Sequence, residues 1–129
     1  MAKKKLDGKI IIPVGVYPEK HEFETAQVIA GAGLDVHFIV PNRTKGTKSP
    51  DVEIDGVKWE LKSPTGASRR TLDDTIKRAL KQSNNIIIDL RRTKLKDCEH
   101  NLRTNEKLTK GIKRLKIINK KQEIIDILP

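Results

Sequence analysis

Residues 50–64 read PDVEIDGVKWELKSP, two alternating runs separated by Asp55-Gly56. An Asp-Gly pair suits a two-residue hairpin turn, because both central residues of that turn need positive φ. The turn sets Ile54 opposite Val57, Glu53 opposite Lys58, Val52 opposite Trp59 and Asp51 opposite Glu60. Successive side chains on a strand point to opposite faces. One face therefore carries Asp51, Glu53, Lys58, Glu60 and Lys62. The other carries Val52, Ile54, Val57, Trp59 and Leu61 toward the core.

Like charges directly opposite one another destabilise a sheet, so Asp51 across from Glu60 calls for a compensating cation. Mg²⁺ is held by one or two carboxylates, keeps several waters and leaves room for a substrate phosphate. Lys62 lies two residues beyond Glu60 on the same face, where its ammonium can orient a water or stabilise charge developing on phosphorus. The expected chemistry is metal-assisted phosphodiester hydrolysis. Asp51 and Glu60 are its metal ligands, and Mg²⁺, or another divalent cation such as Mn²⁺, is its cofactor. Glu53 and Lys58, nearer the turn, are expected to form a cross-strand ion pair.

Before the hairpin, KIII at 9–12 predicts a short strand ended by Pro13, and a helix follows from about Glu19 to Ala30, with Gly31 and Gly33 as its stop. Glu22 lies at the edge of that helix's apolar stripe and Glu24 nearly opposite, so Glu22 is the better third acid. VHFIV at 36–40 is a strand, and NRTKGTKS at 42–49 a basic loop without the Gly-Lys-Ser order of a phosphate-binding loop. GAGLDV at 31–36 runs from helix to strand, the wrong order for a dinucleotide fingerprint.

After the hairpin, a helix from about Thr71 to Gln82 buries Leu72, Ile76, Ala79 and Leu80. NIIIDL at 85–90 is a strand buried on both faces. Residues 93–103 lack a period and read as loop, a helix spans about Thr104 to Ile112, and strands cover Leu115–Ile118 and Glu123–Leu128. The order is β-α-β-β-β-α-β-α-β-β, an α/β fold with a central mixed sheet flanked by helices.

The 129 residues suit a single domain, 1–129. Lys and Arg number 27 against 17 acids, a net charge of +10, so a polyanion is the expected partner and nucleic acid the default. Arg69, Arg70, Lys77, Lys81, Arg91 and Arg92 flank the hairpin in sequence and are candidates for phosphate contact. Aromatics make up only 3% of the chain, which argues against stacking several unpaired bases. Cys98 is the sole cysteine, which excludes an intrachain disulfide or a cysteine zinc cluster. No apolar run approaches ~20 residues. The basic opening MAKKK leads into a strand rather than a signal peptide. His21, His37 and His100 have no metal-ligand spacing.

Pro50-Asp51, eight intervening residues and Glu60-Leu61-Lys62 resemble the PD-(D/E)XK nuclease superfamily. The runs HEFETAQVIAGAGLDVHFIVP, PDVEIDGVKWELKSPTG and IKRALKQSNNIIIDL are similar to one branch, the C-terminal tRNA nuclease domain of contact-dependent growth inhibition toxins. The resemblance implies a restriction-endonuclease-like core, Mg²⁺-dependent RNA cleavage, a tRNA substrate and a cognate immunity protein. It implies Asp51 and Glu60 as metal ligands, Lys62 as catalytic lysine, Glu22 as the helix acid, and action in the cytoplasm of a target cell. The chain begins with Met1 and no delivery module, so it reads as an excised domain or a free-standing relative. The alternatives are a DNA endonuclease of the same superfamily and a non-catalytic nucleic-acid-binding module.

Overall fold

The structure is a computed structural model that describes residues 6–44 and 46–129; the basic start at 1–5 and Lys45 of the loop lie outside the described residues. Among the described residues, seven strands form one sheet in chain order. They are β1 (Ile10–Ile11), β2 (Val36–Phe38), β3 (Val52–Ile54), β4 (Val57–Lys62), β5 (Asn85–Asp89), β6 (Arg114–Ile118) and β7 (Ile124–Leu128). Pairs β1–β2, β4–β5 and β5–β6 are parallel, and the remaining neighbours are antiparallel. Parallel neighbours need a crossover. Helix α1 (Lys20–Gly31) makes the first, α2 (Arg70–Leu80) the second, and α3 (Cys98–Thr104) with α4 (Glu106–Thr109) the third. The mixed sheet with flanking helices is the expected architecture. No helix among the described residues is long and apolar enough to cross a membrane.

The hairpin forms in the expected register. Asp55 and Gly56 take φ of 50° and 80°, and Ile54, Glu53 and Val52 oppose Val57, Lys58 and Trp59. The ladder stops one residue earlier than expected. The Asp51 amide donates to the Trp59 carbonyl at 3.0 Å, and the Asp51 carboxylate, rather than backbone, accepts the Leu61 N–H at 2.8 Å. Asp51 and Glu60 thus meet through side chains at the end of the ladder. Glu53 and Lys58 oppose each other in register but make no ion pair. Lys58 is exposed, and an exposed pair gains too little to hold two long side chains in one geometry.

Each face of the sheet has its own core. Ala26 and Ile29 of α1 pack on Val36, Val52, Trp59, Leu61 and Ile87. Leu72, Ile76 and Ala79 of α2, with Cys98 and Leu102 of α3, pack on Ile86, Ile88, Leu115 and Ile117. Burial of Ile86, Ile87 and Ile88 on alternating faces explains the unbroken apolar run of β5. The register Glu60–Ile86 and Lys62–Ile88 carries the polar face of the hairpin onto the face covered by α2. Glu60 is consequently only 4% exposed.

Residues 93–103, expected as loop, contain helix α3. Its anchors are Cys98 and Leu102, four residues apart and both buried. One such pair is too short a stretch to show a period. The helix expected over Thr104 to Ile112 shrinks to α4, capped by the Asn105 side chain, which accepts the Leu108 N–H. Gly111 then turns the chain with φ of 90°. The order is therefore β-α-β-β-β-α-β-α-α-β-β.

Gly8 ties the chain to the end of α1, its N–H donating to the Ala30 carbonyl. A Cβ at Gly8 would lie 1.9 Å from the Leu34 carbonyl oxygen, inside backbone that cannot swing away. Gly8→Ala should therefore destabilise the fold by about 1–3 kcal/mol, read as a lower urea midpoint. An unchanged midpoint would refute this packing.

Candidate active site

Helix α1 begins, β3 begins and β4 ends at one end of the sheet's central strands. There Glu22, Asp51, Glu60 and Lys62 line a cleft of about 350 Å³. All four residues singled out from the sequence come together.

Glu22 sits in the first turn of α1, where Glu19 caps the helix and the Glu22 carboxylate accepts the Glu19 N–H at 2.9 Å. The Asp51 carboxyl lines the same cleft, close enough for its charge to act on Glu22. Glu24 instead points away and pairs with Lys20 at 3.9 Å. Asp51 is anchored by the Leu61 N–H. The Lys62 ammonium lies 3.3 Å from Oε2 of Glu60. Glu60 Oε1 is buried and has no hydrogen-bond partner.

Three carboxyls in so little water are strained electrostatically. Burial, then the charge of Glu60, pushes Asp51 up to about 6. Burial also raises Glu22, with Asp51 adding to the effect. Burial raises Glu60 as well, although contacts with Asp51 and Lys62 oppose it. An unpaired buried acceptor costs the free energy of its lost hydration. The donor set of Asp51 and Glu60, with its orphaned oxygen, fits a hard divalent cation, which takes oxygen ligands. No three His, Cys, Asp or Glu side chains among the described residues form a ready-made metal cage. A Mg²⁺ site does not need one, because water supplies the remaining ligands.

The predicted phosphate contacts lie elsewhere. Arg69 lines a separate groove with Leu72 and Asn105. Lys77 pairs with Asp73 at 3.1 Å. Arg70, Lys81 and Arg92 are exposed outside the cleft. Arg91 folds inward onto Asp89, with Nη2 to Oδ2 at 2.8 Å. The cationic side chain that α2 brings to the cleft is Arg78, with Thr75 beside it. His21 also lines the cleft and sits 3.4 Å from Glu19. Arg78 follows Thr75 by three residues and so shares a helix face with it. That spacing is visible in the sequence, but the side of α2 that meets Glu60 is not.

The family model described as contact-dependent growth inhibition CdiA C-terminal domain matches residues 48–124. That span holds Asp51, Glu60 and Lys62 and leaves out Glu22. No curated protein matches. Among solved structures, a chain of the CdiA-CT/CdiI toxin and immunity complex from Burkholderia pseudomallei is similar, with 22% identity and a TM-score of 0.71. The alignment covers 95% of this chain and 100% of that one, so the likeness extends across the whole fold.

Proposed function

The chain belongs to the contact-dependent growth inhibition CdiA C-terminal domain family, and we propose that it is a toxin domain that hydrolyses phosphodiester bonds in RNA, with tRNA as substrate. The observation that carries this reading is the Asp51–Glu60 pair, with one Glu60 oxygen buried and unpartnered and Lys62 alongside. Facing carboxylates at a strand end serve stability poorly and suit cation binding. The spacing of Asp51, Glu60 and Lys62 supports membership of the PD-(D/E)XK nuclease superfamily.

Asp51 and Glu60 would hold Mg²⁺ or Mn²⁺, which when bound offsets negative charge on the reacting phosphate. Glu60 holds the Lys62 ammonium at the cleft, where it can orient the attacking water and hydrogen-bond the phosphoryl oxygens. Glu22, with its carboxyl raised by burial, can take a proton from that water. The new P–O bond forms as the opposite P–O bond breaks, and the leaving oxygen is protonated from solvent. Arg78 at the cleft wall and the net charge of +10 favour a polyanion. We take a cognate immunity protein as the partner, by analogy with the complex that contains the similar chain, and the cytoplasm of a target cell as the place of action.

The test incubates purified protein with total RNA and with plasmid DNA, in Mg²⁺ or in EDTA. RNA cleavage that EDTA abolishes is expected. RNA left intact throughout would sink the proposal, and cleavage of DNA alone would make the protein a DNA endonuclease. The reaction should also slow as pH falls below about 6, where Asp51 takes up a proton that competes with the cation. A rate that stays flat down to pH 5 at saturating Mg²⁺ and at limiting Mg²⁺ alike would remove Asp51 as a ligand.

A further inference from the structure

A second groove of about 300 Å³ opens beside the cleft and shares Glu22 and Asp51 with it. These two carboxyls form the ridge between the two hollows. The second groove is walled by Tyr17, Phe38, Pro41 and Arg43. Tyr17 is the only tyrosine in the chain and is 90% exposed. Its loop is braced, since the Val16 N–H donates to the Pro13 carbonyl at 3.1 Å, Gly15 turns with φ of 84° and Pro18 follows. The Arg43 loop is tied as well, with the Asn42 N–H donating to Ser49 Oγ and the Thr44 N–H to Asn42 Oδ1, both at 3.0 Å.

We propose that this groove is a nucleotide subsite, in which the Tyr17 ring stacks one unpaired base and Arg43 holds an adjoining phosphate. An aromatic face stacks any base, and a guanidinium matches a phosphate with paired N–H donors. One ring can serve one base only, which accords with the scarcity of aromatics. The groove adjoins the carboxylates, so the stacked nucleotide lies next to the bond to be cut. That last placement rests on the nuclease reading; the subsite itself does not.

Labelled total tRNA is titrated in EDTA over a range of salt with wild type, Tyr17→Ala, Tyr17→Phe and Arg43→Ala, and its cleavage is then followed in Mg²⁺. Both side chains project from exposed loops, so folding is expected to survive substitution. Tyr17→Ala should weaken binding about tenfold, and Tyr17→Phe should stay near wild type, because stacking needs the ring and not the hydroxyl. Arg43→Ala should reduce the slope of log K against log salt by about one. Wild-type binding by Tyr17→Ala, or equal losses in Tyr17→Ala and Tyr17→Phe, would overturn the proposal. The first result would turn this face toward a protein partner. Binding that responds as expected in a protein that cuts nothing would uphold the subsite and reject the nuclease.

Discussion

Asp51→Asn should make the metal-free protein harder to unfold at pH 7.5 while slowing RNA cleavage at least about a hundredfold. The Asp51 carboxyl titrates near 6 in the folded chain against a reference of 3.8, a rise of roughly two units. The folded state therefore binds more protons than the unfolded state between those values, and stability falls as pH rises through that window. The stabilising contribution is full below about 4 and lost above about 6. At one pKa unit per ~1.4 kcal/mol, the ceiling at pH 7.5 is about 3 kcal/mol, which is several degrees in Tm. Asn removes the charge and keeps an oxygen to accept the Leu61 N–H. Mg²⁺ should raise the Tm of wild type more than that of the variant, because only a ligand favouring the folded state stabilises it. The loss of rate follows from the proposed role of Asp51 as a metal ligand, since even the partners behind metal ligands are worth 10–100-fold. Differential scanning fluorimetry at pH 4 and 7.5, with EDTA or Mg²⁺, reads the first part. Identical melting of both proteins at pH 7.5, and equal stabilisation by Mg²⁺, would contradict it.

Arg91→Ala should lower stability by about 3–5 kcal/mol, the usual result of stripping a buried charge of its partner. Asp89 is 2% exposed. It receives Arg91 Nε at 2.9 Å and Nη2 at 2.8 Å, the Arg91 amide at 3.1 Å and the Thr25 hydroxyl at 2.7 Å. Burial alone would raise its pKa; the hydrogen bonds from Arg91 and Thr25 outweigh burial and hold it below the ordinary carboxylate range. This network fastens α1 to the end of β5. Asp89→Asn combined with Arg91→Ala should recover much of the loss, because no charge is then left unpaired. The sequence presents Arg91 as a phosphate contact, and the two roles differ in their signature. A contact residue would flatten the salt dependence of RNA binding by about one unit of slope and leave the urea midpoint in place. That pattern would refute the structural role.

The two arginines show how far a sequence can be read here. Arg91 and Arg92 are equivalent by position, yet one turns into the fold to meet Asp89 and the other faces water. Arg78 looks like one more outward cation of a basic helix, and the docking of α2 brings it to the acids. Helix α3 escapes notice because Cys98 and Leu102 make a single apolar step. Glu22 is legible because its helix has a clear stripe and Glu24 falls on the other side of it.

Local chemistry accounts for the hairpin. The Asp-Gly turn needs positive φ, and strand alternation then sorts acids from apolar residues with no help from distant parts of the chain. Asp51, Glu60 and Lys62 can be named from those two rules, as can the core positions of β4; those of β5 follow from its unbroken apolar run. Burial, charge state and the company each group keeps are long-range properties. Glu60 sits on a face that would meet water in an isolated hairpin, and it is dry because β5 extends the sheet and α2 covers it. The raised pKa of Asp51, the orphaned Glu60 oxygen and the second groove beside Tyr17 all depend on elements far apart in the chain. Solvent exclusion by such packing is what turns a row of carboxylates into a candidate cation site.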